Sequence, residues 1–334
     1  MNDEVDFVII WVDGNDINWQ RERDKYSNVK NGSSGDNRKI RYRDWDNLQY
    51  WFRGVEKYAP WVNKVYFVTW GHIPEWLNID NPKLNIVKHD EYIPKKYLPT
   101  FNSNVIELNL HRIVGLSEKF VYFNDDIFIC DYVKKEDFFK HGLPCDSGIM
   151  SPIIQENKNG IGTTVANNLG IINQYFEKNT QVKNKILNWF NPCYGIQNLK
   201  NVFLMPWNDF CGFYEIHIAS SFLKSTYQKL WKIEADELDN TSKHKFRNVK
   251  QDLNQWVIRD WQLASNNFIP RNSNFGINFN LAKEFDKAIK SIEKQKYKMI
   301  CLNDSDDINN FEEAREIIKK CFNKILPEKS SFEK

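Results

Sequence analysis

An apolar stretch from Phe120 to Cys130 is interrupted by two adjacent carboxylates, Asp125 and Asp126. The flanking residues are mostly β-branched or aromatic, and this composition predicts buried β-strand. An unpaired charge in a dry core is costly, so each Asp needs a partner: a divalent cation, a basic side chain, or water at a strand end. A cation would indicate an enzyme that handles phosphate. Because side chains alternate along a regular strand, Asn124 and Asp126 would share one face and Asp125 the other.

The length and composition fit an α/β protein with a substantial core. The chain has 334 residues, 41% of them apolar, and a formal charge of +2 from 46 basic and 44 acidic residues. This balance argues against nucleic acid as a partner. The six cysteines have no metal-binding spacing and are predicted to be buried free thiols in a reducing compartment. There is no signal peptide and no apolar stretch of transmembrane length. We therefore expect a cytoplasmic protein whose membrane contact, if any, is peripheral, at the inner face of the cell membrane.

Hydrophobic periodicity predicts the order of the secondary structure elements. Strands are predicted over residues 5–12, 64–69, 84–88, 120–130 and 298–302, and helices over 44–58, 103–114, 247–264 and 309–324. Asp44 and Ser103 are the predicted caps of the first two helices. This order predicts an α/β fold with a mostly parallel, Rossmann-like central sheet flanked by helices. Residues 1–133 and 205–334 are the predicted catalytic core, and 134–204 a mainly helical insertion or subdomain.

Acidic and amide side chains occur at or near the ends of three predicted strands. Asp13 follows the first, residues 124–126 interrupt the fourth, and Asn303 with Asp304 follow the last. In open α/β sheets ligands bind beyond the carboxyl ends of the strands, so these groups are expected to meet at one edge. Such oxygen ligands suit Mg²⁺ or Mn²⁺ held together with a diphosphate. The alternatives are a salt-bridged strand end for the Asp pair and a solvated tight turn for Asp13.

Other residues could hold phosphate or move a proton. Arginine forks bind phosphate bidentately, Gly14 would let the backbone approach a phosphate, and His217 could act as a general base. The alternative for each is structural: surface helix charge, a turn, or a buried histidine. The candidate arginines are Arg41, Arg43, Arg53, Arg112 and Arg247.

Four blocks of sequence, in this order, resemble the Stealth family of sugar-1-phosphate transferases. The blocks are residues 6–16, residues 41–128, residues 217–252, and residues 301–304 with a tail at 327–333. The second block is the longest and most specific, and it contains the 122–126 segment. The family includes bacterial capsule and cell-surface polysaccharide phosphotransferases. The animal lysosomal-targeting N-acetylglucosamine-1-phosphotransferase is a relative.

The resemblance implies a glycosyltransferase-A-like fold and a reaction. A hexose-1-phosphate would pass from a UDP-sugar donor to a hydroxyl of an oligosaccharide or lipid-linked saccharide acceptor, with release of UMP. Mg²⁺ or Mn²⁺ would be the cofactor. For the positions of this sequence that match the family's motifs, the resemblance implies catalytic residues His217, Asp13 and Arg247. The expected donor-binding residues are Trp11, Gly14, Arg43, Asn104 and Arg112. The expected metal ligands are Asn124, Asp125, Asp126, Asn303 and Asp304.

Two other functions stay open from the residues alone. A metal-dependent glycosyltransferase would use the same Asp pair but would release UDP instead of UMP. A noncatalytic carbohydrate-binding protein would use the dense aromatic residues and would show no metal-dependent turnover. Carboxylates in three separate segments argue against the second of these, because a lectin would not need them all.

Overall fold

The structure is a computed structural model that describes residues 3–27, 42–155, 160–305 and 307–334. Arg41 and the polar loop at residues 31–37, which the sequence predicts to be mobile, lie outside the described residues. The strands are β1 (Val5–Ile10), β2 (Val65–Thr69), β3 (Leu84–Lys88), β4 (Lys119–Phe123), β5 (Ile127–Ile129), β6 (Phe139–Lys140), β7 (Leu143–Asp146), β8 (Ser220–Leu223), β9 (Ile269–Pro270), β10 (Gly276–Asn280) and β11 (Met299–Asn303). The α-helices are α1 (Ile17–Tyr26), α2 (Leu48–Tyr58), α3 (His89–Tyr92), α4 (Ser103–Leu108), α5 (Ile161–Tyr175), α6 (Lys178–Asn184), α7 (Ile186–Trp189), α8 (Asn198–Leu204), α9 (Lys224–Ile233), α10 (Ala235–Ser242), α11 (Trp256–Ala264), α12 (Leu281–Glu293) and α13 (Phe311–Ile325).

The main sheet is built around β1. Among the described residues its strand order is β3-β2-β1-β4-β8. β1 is parallel to β2 and β4, and β2 is parallel to β3, whereas β8 is antiparallel to β4. Phe7 belongs to an apolar cluster with Trp51 of α2, and its neighbour Val8 belongs to a second cluster with Trp261 of α11. Because both faces are covered, the strands are almost continuously apolar. The predicted α/β class with a mostly parallel sheet is confirmed.

The predicted strand over residues 120–130 is wrong, because the chain changes sheets in the middle of it. β4 ends at Phe123 in the main sheet, and β5 begins at Ile127 in a smaller sheet of order β10-β11-β5. Residues 124–126 form the turn between them, in which the Ile127 N–H donates to the Asn124 carbonyl at 3.2 Å. Both halves look alike in sequence because both strands are buried. Asp125 and Asp126 therefore lie outside any strand, so the alternation of side chains along a strand does not decide which way they face.

Three predicted helices begin or end elsewhere, because polar side chains satisfy the backbone in other ways. The first begins at Leu48 rather than Asp44, whose carboxylate instead accepts from the Asp46 N–H at 2.8 Å. The second is capped by Asn102 rather than Ser103, and it ends at Leu108. The third begins at Trp256, after a turn organised by Asp252.

Asp252 is fully buried, and four donors surround it. It accepts from the Asn248 N–H at 2.8 Å, from Asn102 and Asn104 Nδ2 at 3.0 Å each, and it is 2.7 Å from His244 Nδ1. A buried carboxylate with this many donors is satisfied, and it fixes the turn before α11 against the start of α4.

The 134–204 segment contains β6, β7 and helices α5 to α8. Helix α5 packs against α11, and β7 pairs with β9. The division into a core and an insertion stays a prediction. All six cysteines are free thiols, as predicted; four are buried, whereas Cys193 and Cys211 are only partly buried. Within the described ranges, every helix is too short or too polar to cross a bilayer.

Candidate active site

Asp126 lies in the turn after β4, at the carboxyl edge of the parallel strands. Its Oδ2 is 3.3 Å from the Sγ of Cys301 and 3.9 Å from the Nε2 of His217. Its Oδ1 is buried and has no hydrogen-bond partner among the described residues. A buried carboxylate oxygen without a partner is energetically costly. This oxygen is therefore the best candidate in the site for a bound cation.

The side chains around Asp126 could hold a metal. Ligand atoms of Asp126, His217 and Cys301 lie within 4.8 Å of one another. Burial raises the pKa of Cys301 well above its usual value, and the adjacent Asp126 raises it further. The sulfur is therefore a neutral thiol that donates to Asp126. Mg²⁺ and Mn²⁺ prefer oxygen ligands, so the groups that fit the predicted ion are Asp126 and the adjacent amide of Asn124.

Further acidic groups lie beside this turn. Desolvation by the surrounding protein, together with Asp126 and Asp44, raises the pKa of Asp125 to about 7. Asp125 is nevertheless exposed by surface area, so solvent reaches this carboxyl. Burial also raises the pKa of Asp44, with Asp46 and Asp13 contributing. The charge of Asp13 acts on Asp44, and that of Asp44 acts on Asp125, so we name Asp13, Asp44 and the 125–126 pair together the acidic rim.

Arg43 and Asp304, predicted to bind a phosphate and a metal respectively, pair with each other. Arg43 Nε donates to Asp304 Oδ2 at 2.9 Å, and Nη2 contacts Oδ1. The guanidinium also lies 4.2 Å from the ring centre of Phe311. The pair remains next to the turn, because the Leu302 N–H donates to the Asp126 carbonyl at 2.9 Å and Asn303 ends the same strand. Asp304 therefore has its charge neutralised before any metal binds.

His217 is held in an unusual backbone conformation. Its φ is 53°, which is uncommon for a residue other than glycine. The His217 N–H donates to Glu215 Oε1 at 3.2 Å, and Arg259 Nη1 donates to Glu215 Oε2 at 2.8 Å. The imidazole packs edge-on against Trp256 at 5.8 Å, and its Nε2 is 3.4 Å from Asn124 Nδ2. The ring is thus directed at the Asp126 turn by its backbone.

A chain of polar contacts joins this turn to Arg247. Asn124 Oδ1 contacts the Tyr122 hydroxyl, which lies 3.1 Å from Glu107 Oε1. Burial raises the pKa of Glu107, and the nearby Arg247 opposes that shift. Arg247 Nη2 donates to Ser103 Oγ at 2.7 Å. Arg247 therefore lies at the far end of the same polar array as His217.

Three other residues predicted to bind the donor or a phosphate, Asn104, Arg112 and Arg53, contact other protein side chains instead. Asn104 uses its amide nitrogen on Asp252, as described above. Arg112 Nε donates to Asn109 at 2.9 Å, and its guanidinium lies 4.6 Å from the ring centre of Trp231. Arg53 pairs bidentately with Glu333. Among the described residues, no contact joins the side chains of Arg112 and Arg53 to the Asp126 group.

The loop after β1 packs closely against the chain near Tyr42. The Asp13 N–H donates to His72 Nε2 at 2.8 Å, and the Asp13 carboxylate accepts from the Asn15 N–H at 2.8 Å. Trp11 stacks on Phe67 with ring centres 5.6 Å apart. A Cβ on Gly14 would lie 2.0 Å from the Tyr42 carbonyl oxygen. Glycine is therefore required there for steric reasons.

We expect Gly14→Ala to destabilise the protein by about 1–3 kcal/mol, the usual cost of overpacking, because the loop must move away from Tyr42. Gly170→Ala is the matched control, since a Cβ at Gly170 in α5 meets nothing within 4 Å. Urea unfolding of the two variants would measure the difference. Equal stability of Gly14→Ala and wild type would contradict this packing argument.

Several residues of this site are not evident from the sequence. In the sequence, Glu107, Tyr122 and Glu215 have the features of ordinary helix or strand residues, and Cys301 those of a structural thiol. The signal that could have found Cys301 is its position two residues before Asn303 on the last strand. Nothing in the sequence relates Glu107 to Arg247, which are distant along the chain and meet only in the fold.

Sequence comparisons place the chain in a family. Profiles of two regions match: Stealth protein CR2, conserved region 2, over residues 41–145, and Stealth protein CR4, conserved region 4, over residues 290–334. These stretches carry the 124–126 turn, Cys301 and the Arg43–Asp304 pair. The second and fourth predicted blocks are confirmed, and the first and third stay predictions.

Relatives match over their whole length. The chain is 48% identical over 332 residues to the capsular polysaccharide phosphotransferase WcwK of Streptococcus pneumoniae, covering 99% of this chain and 98% of the relative. It is 40% identical over 333 residues to the exopolysaccharide phosphotransferase cps2G of Lactiplantibacillus plantarum, covering 99% of this chain and 96% of the relative.

Among solved structures, the apo-form glycosyltransferase GlyE of Streptococcus pneumoniae TIGR4 is 11% identical with a TM-score of 0.42, covering 97% of this chain and 62% of that chain. The galactosyltransferase LgtC is 10% identical with a TM-score of 0.40, covering 94% and 95%.

The α/β sheet, the acidic turn at its carboxyl edge and the full-length relatives together define a transferase enzyme. The chain belongs to the Stealth family, as its two matched regions and its 48% identity to a capsular polysaccharide phosphotransferase establish.

Proposed function

We propose that this enzyme transfers a hexose-1-phosphate, such as N-acetylhexosamine-1-phosphate, from a UDP-sugar to a hydroxyl of an acceptor saccharide. The product is a phosphodiester in a capsular or cell-surface polysaccharide, and UMP is released. The observation that carries the proposal is the unpartnered, buried Oδ1 of Asp126 beside His217 at the carboxyl edge of the sheet. The names of the two full-length relatives reported above, both polysaccharide phosphotransferases, support the reaction class.

The proposed reaction is a phosphoryl transfer and needs no oxidant or reductant. The acceptor oxygen forms a bond to the β-phosphorus of the donor, and the bond from that phosphorus to the bridging oxygen breaks. The bridging oxygen leaves with UMP, and the acceptor proton passes to a base. Phosphoryl transfer depends mainly on positioning and on neutralising charge, so few covalent roles are needed from the protein.

The residue roles follow from their places in the site. His217 is the first candidate for the base, since its imidazole faces the turn, and Asp13 on the acidic rim is the second. Asp126 with Asn124 would hold Mg²⁺ or Mn²⁺, which when bound would neutralise diphosphate charge. Arg247 is the candidate phosphate clamp at the other end of the polar array. Arg43 would orient Asp304 in the same region rather than bind phosphate alone.

The test is to incubate the full chain with a panel of UDP-sugars, an oligosaccharide acceptor and Mg²⁺ or Mn²⁺, and to identify the nucleotide released. We expect UMP, formed in proportion to the phosphodiester product and only when the metal is present. Release of UDP would instead assign a glycosyltransferase, which attacks the anomeric carbon. Binding of saccharide without any nucleotide release, across the whole panel and with lipid-linked acceptors, would assign a carbohydrate-binding protein.

A further inference from the structure

The helical segment between β7 and β8 exposes an unusual number of large apolar side chains. We name the set the outer apolar face; its members are Ile186, Leu187, Ile196, Leu199, Val202, Phe203 and Trp207. Phe203 is 70% exposed and Ile196 is 79% exposed, so these side chains are not partly covered core residues. Single exposed apolar residues need no explanation, but a contiguous group of this kind indicates an interaction site.

Helix α8 is held so that this face points outward. Leu199, Val202 and Phe203 have the three- and four-residue spacing of one helix face. On the opposite side Asn201 is fully buried; it accepts from the Met150 N–H at 2.6 Å and donates to the Gly148 carbonyl at 2.8 Å. These buried bonds fix the rotation of the helix about its axis. The outward apolar side chains are therefore a feature of the folded state.

The two ends of the face are also tied down. Buried Lys178 donates to the carbonyls of Leu204 at 2.7 Å and Met205 at 3.2 Å, which anchors the end of α8. Asn191 Nδ2 donates to the Leu187 carbonyl at 2.9 Å, and the Asn191 carbonyl accepts from Asn198 Nδ2 at 2.8 Å. Asn191 thus holds the end of α7 next to the start of α8. The two helices that carry these apolar residues are therefore adjacent in the fold.

The charge of the segment has a single sign. From residue 178 to residue 207 there are four lysines and no Asp or Glu, although the chain as a whole has 46 basic and 44 acidic residues. Lys183 and Lys185 are exposed just before the apolar residues of α7, and Lys185 Nζ also donates to the Asn266 carbonyl at 3.2 Å. Lys200 is half-buried within α8. Apolar and aromatic side chains flanked by lysines are typical of surfaces that lie in the interface of a bilayer. Lysines near such a surface are attracted to anionic headgroups.

We propose that the outer apolar face binds the surface of an anionic lipid bilayer. A second copy of the chain is a poorer occupant, because two copies of this face related by a twofold axis would bring their lysines together. The apolar side chains would enter the interface while Lys183 and Lys185 contact the headgroups. The proposal concerns binding only and does not depend on the transfer reaction.

The test is flotation of the full chain with vesicles of phosphatidylcholine that do or do not contain phosphatidylglycerol. We expect the wild type to float with the anionic vesicles. The double variant Phe203→Ser, Trp207→Ser should bind on the order of tenfold or more weakly, because it lacks two apolar side chains that would enter the bilayer interface. Lys183→Gln with Lys185→Gln should remove the preference for anionic vesicles. The matched control is Val114→Ser, which alters an 87% exposed side chain in a different part of the fold and should float like wild type.

Three results would overturn the proposal. The first is no flotation of the wild type, and the second is equal flotation of the wild type and the Phe203→Ser, Trp207→Ser variant. The third is a concentration-dependent dimer in light scattering that this same variant abolishes, since a second copy would then cover the face. Thermal melts show whether each variant is folded, and no step of the test requires catalysis.

Discussion

Asp126→Asn is expected to lower turnover by at least on the order of 10³-fold, the scale of a lost metal or oxyanion contact, without lowering stability. Asparagine has nearly the same shape, so the packing of the turn is kept. It removes one negative charge beside Asp125, whose raised pKa reflects burial and repulsion from Asp126. Loss of that repulsion should leave the free energy of unfolding unchanged or increase it. A stability gain with a loss of function is typical of functional charges.

Asp131→Asn is the matched control for Asp126→Asn. Asp131 lies just beyond the other end of β5 and accepts from Lys298 Nζ at 2.6 Å in a partly exposed ion pair. Such pairs contribute about 0–1 kcal/mol, so this variant should lose little stability and no activity. The measurements are initial rates with excess Mg²⁺ or Mn²⁺ and urea unfolding of both variants. Wild-type turnover in Asp126→Asn would reject its role in binding the cation.

The sequence predicts the four parallel strands of the main sheet, because strands covered on both faces leave continuous apolar runs that composition identifies, but it misses the short antiparallel β8, which begins with two serines. The prediction fails at residues 124–126 because of the same apolar runs. Burial in two different sheets makes β4 and β5 indistinguishable from one long strand, so the turn that exposes Asp125 and orients Asp126 cannot be inferred. Helix starts fail where Asp44 and Asp252 bind backbone N–H groups outside a helix.

The sequence predicts which residues belong to the candidate site better than it predicts which of them contact one another. Asp126, His217 and Asn124 are in the predicted set, and the fold brings them together. Arg43 and Asp304 are also in the set, but their pairing depends on two segments far apart in the chain meeting at the end of β11. Glu107 and Cys301 are absent from the predicted set because their neighbours, rather than their local sequence, bring them to the site.

Arg259→Met is expected to have the largest effect on stability, about 3–5 kcal/mol, which is typical of removing one partner from a buried ion pair. Arg259 is 4% exposed. It donates to both oxygens of Asp146, at 2.7 and 2.9 Å, and to Glu215 at 2.8 Å. Burial acts to raise the pKa of Asp146, but Arg259 holds it below its usual value. Without Arg259, Asp146 and Glu215 would lose their hydrogen-bonded guanidinium, and Asp260, whose Oδ1 lies 3.5 Å from Arg259 Nη1, would lose its partner too; only the charge of Arg271 would still act on Asp146.

The loss should depend on pH in a definite direction. Unpaired and buried, Asp146 and Glu215 would have folded-state pKa values above those of the unfolded chain. A raised folded-state pKa stabilises the folded protein at low pH and loses that contribution as the pH rises. The difference in unfolding free energy between wild type and Arg259→Met should therefore shrink as the pH is lowered from neutral into the carboxyl range. Urea unfolding at several pH values would measure this difference.

A second consequence of Arg259→Met concerns catalysis, since Glu215 holds the His217 N–H and His217 has a φ of 53°. Arg53→Met is the control, because Arg53 makes a bidentate, partly buried pair with Glu333 that does not contact His217. Both variants should lose stability, and at a temperature where both are folded only Arg259→Met should lose kcat. Equal kcat in the two variants would mean that the Arg259 network stabilises the fold without positioning His217. A selective loss, with KM unchanged, would mean that the network holds the imidazole in place for the proposed transfer.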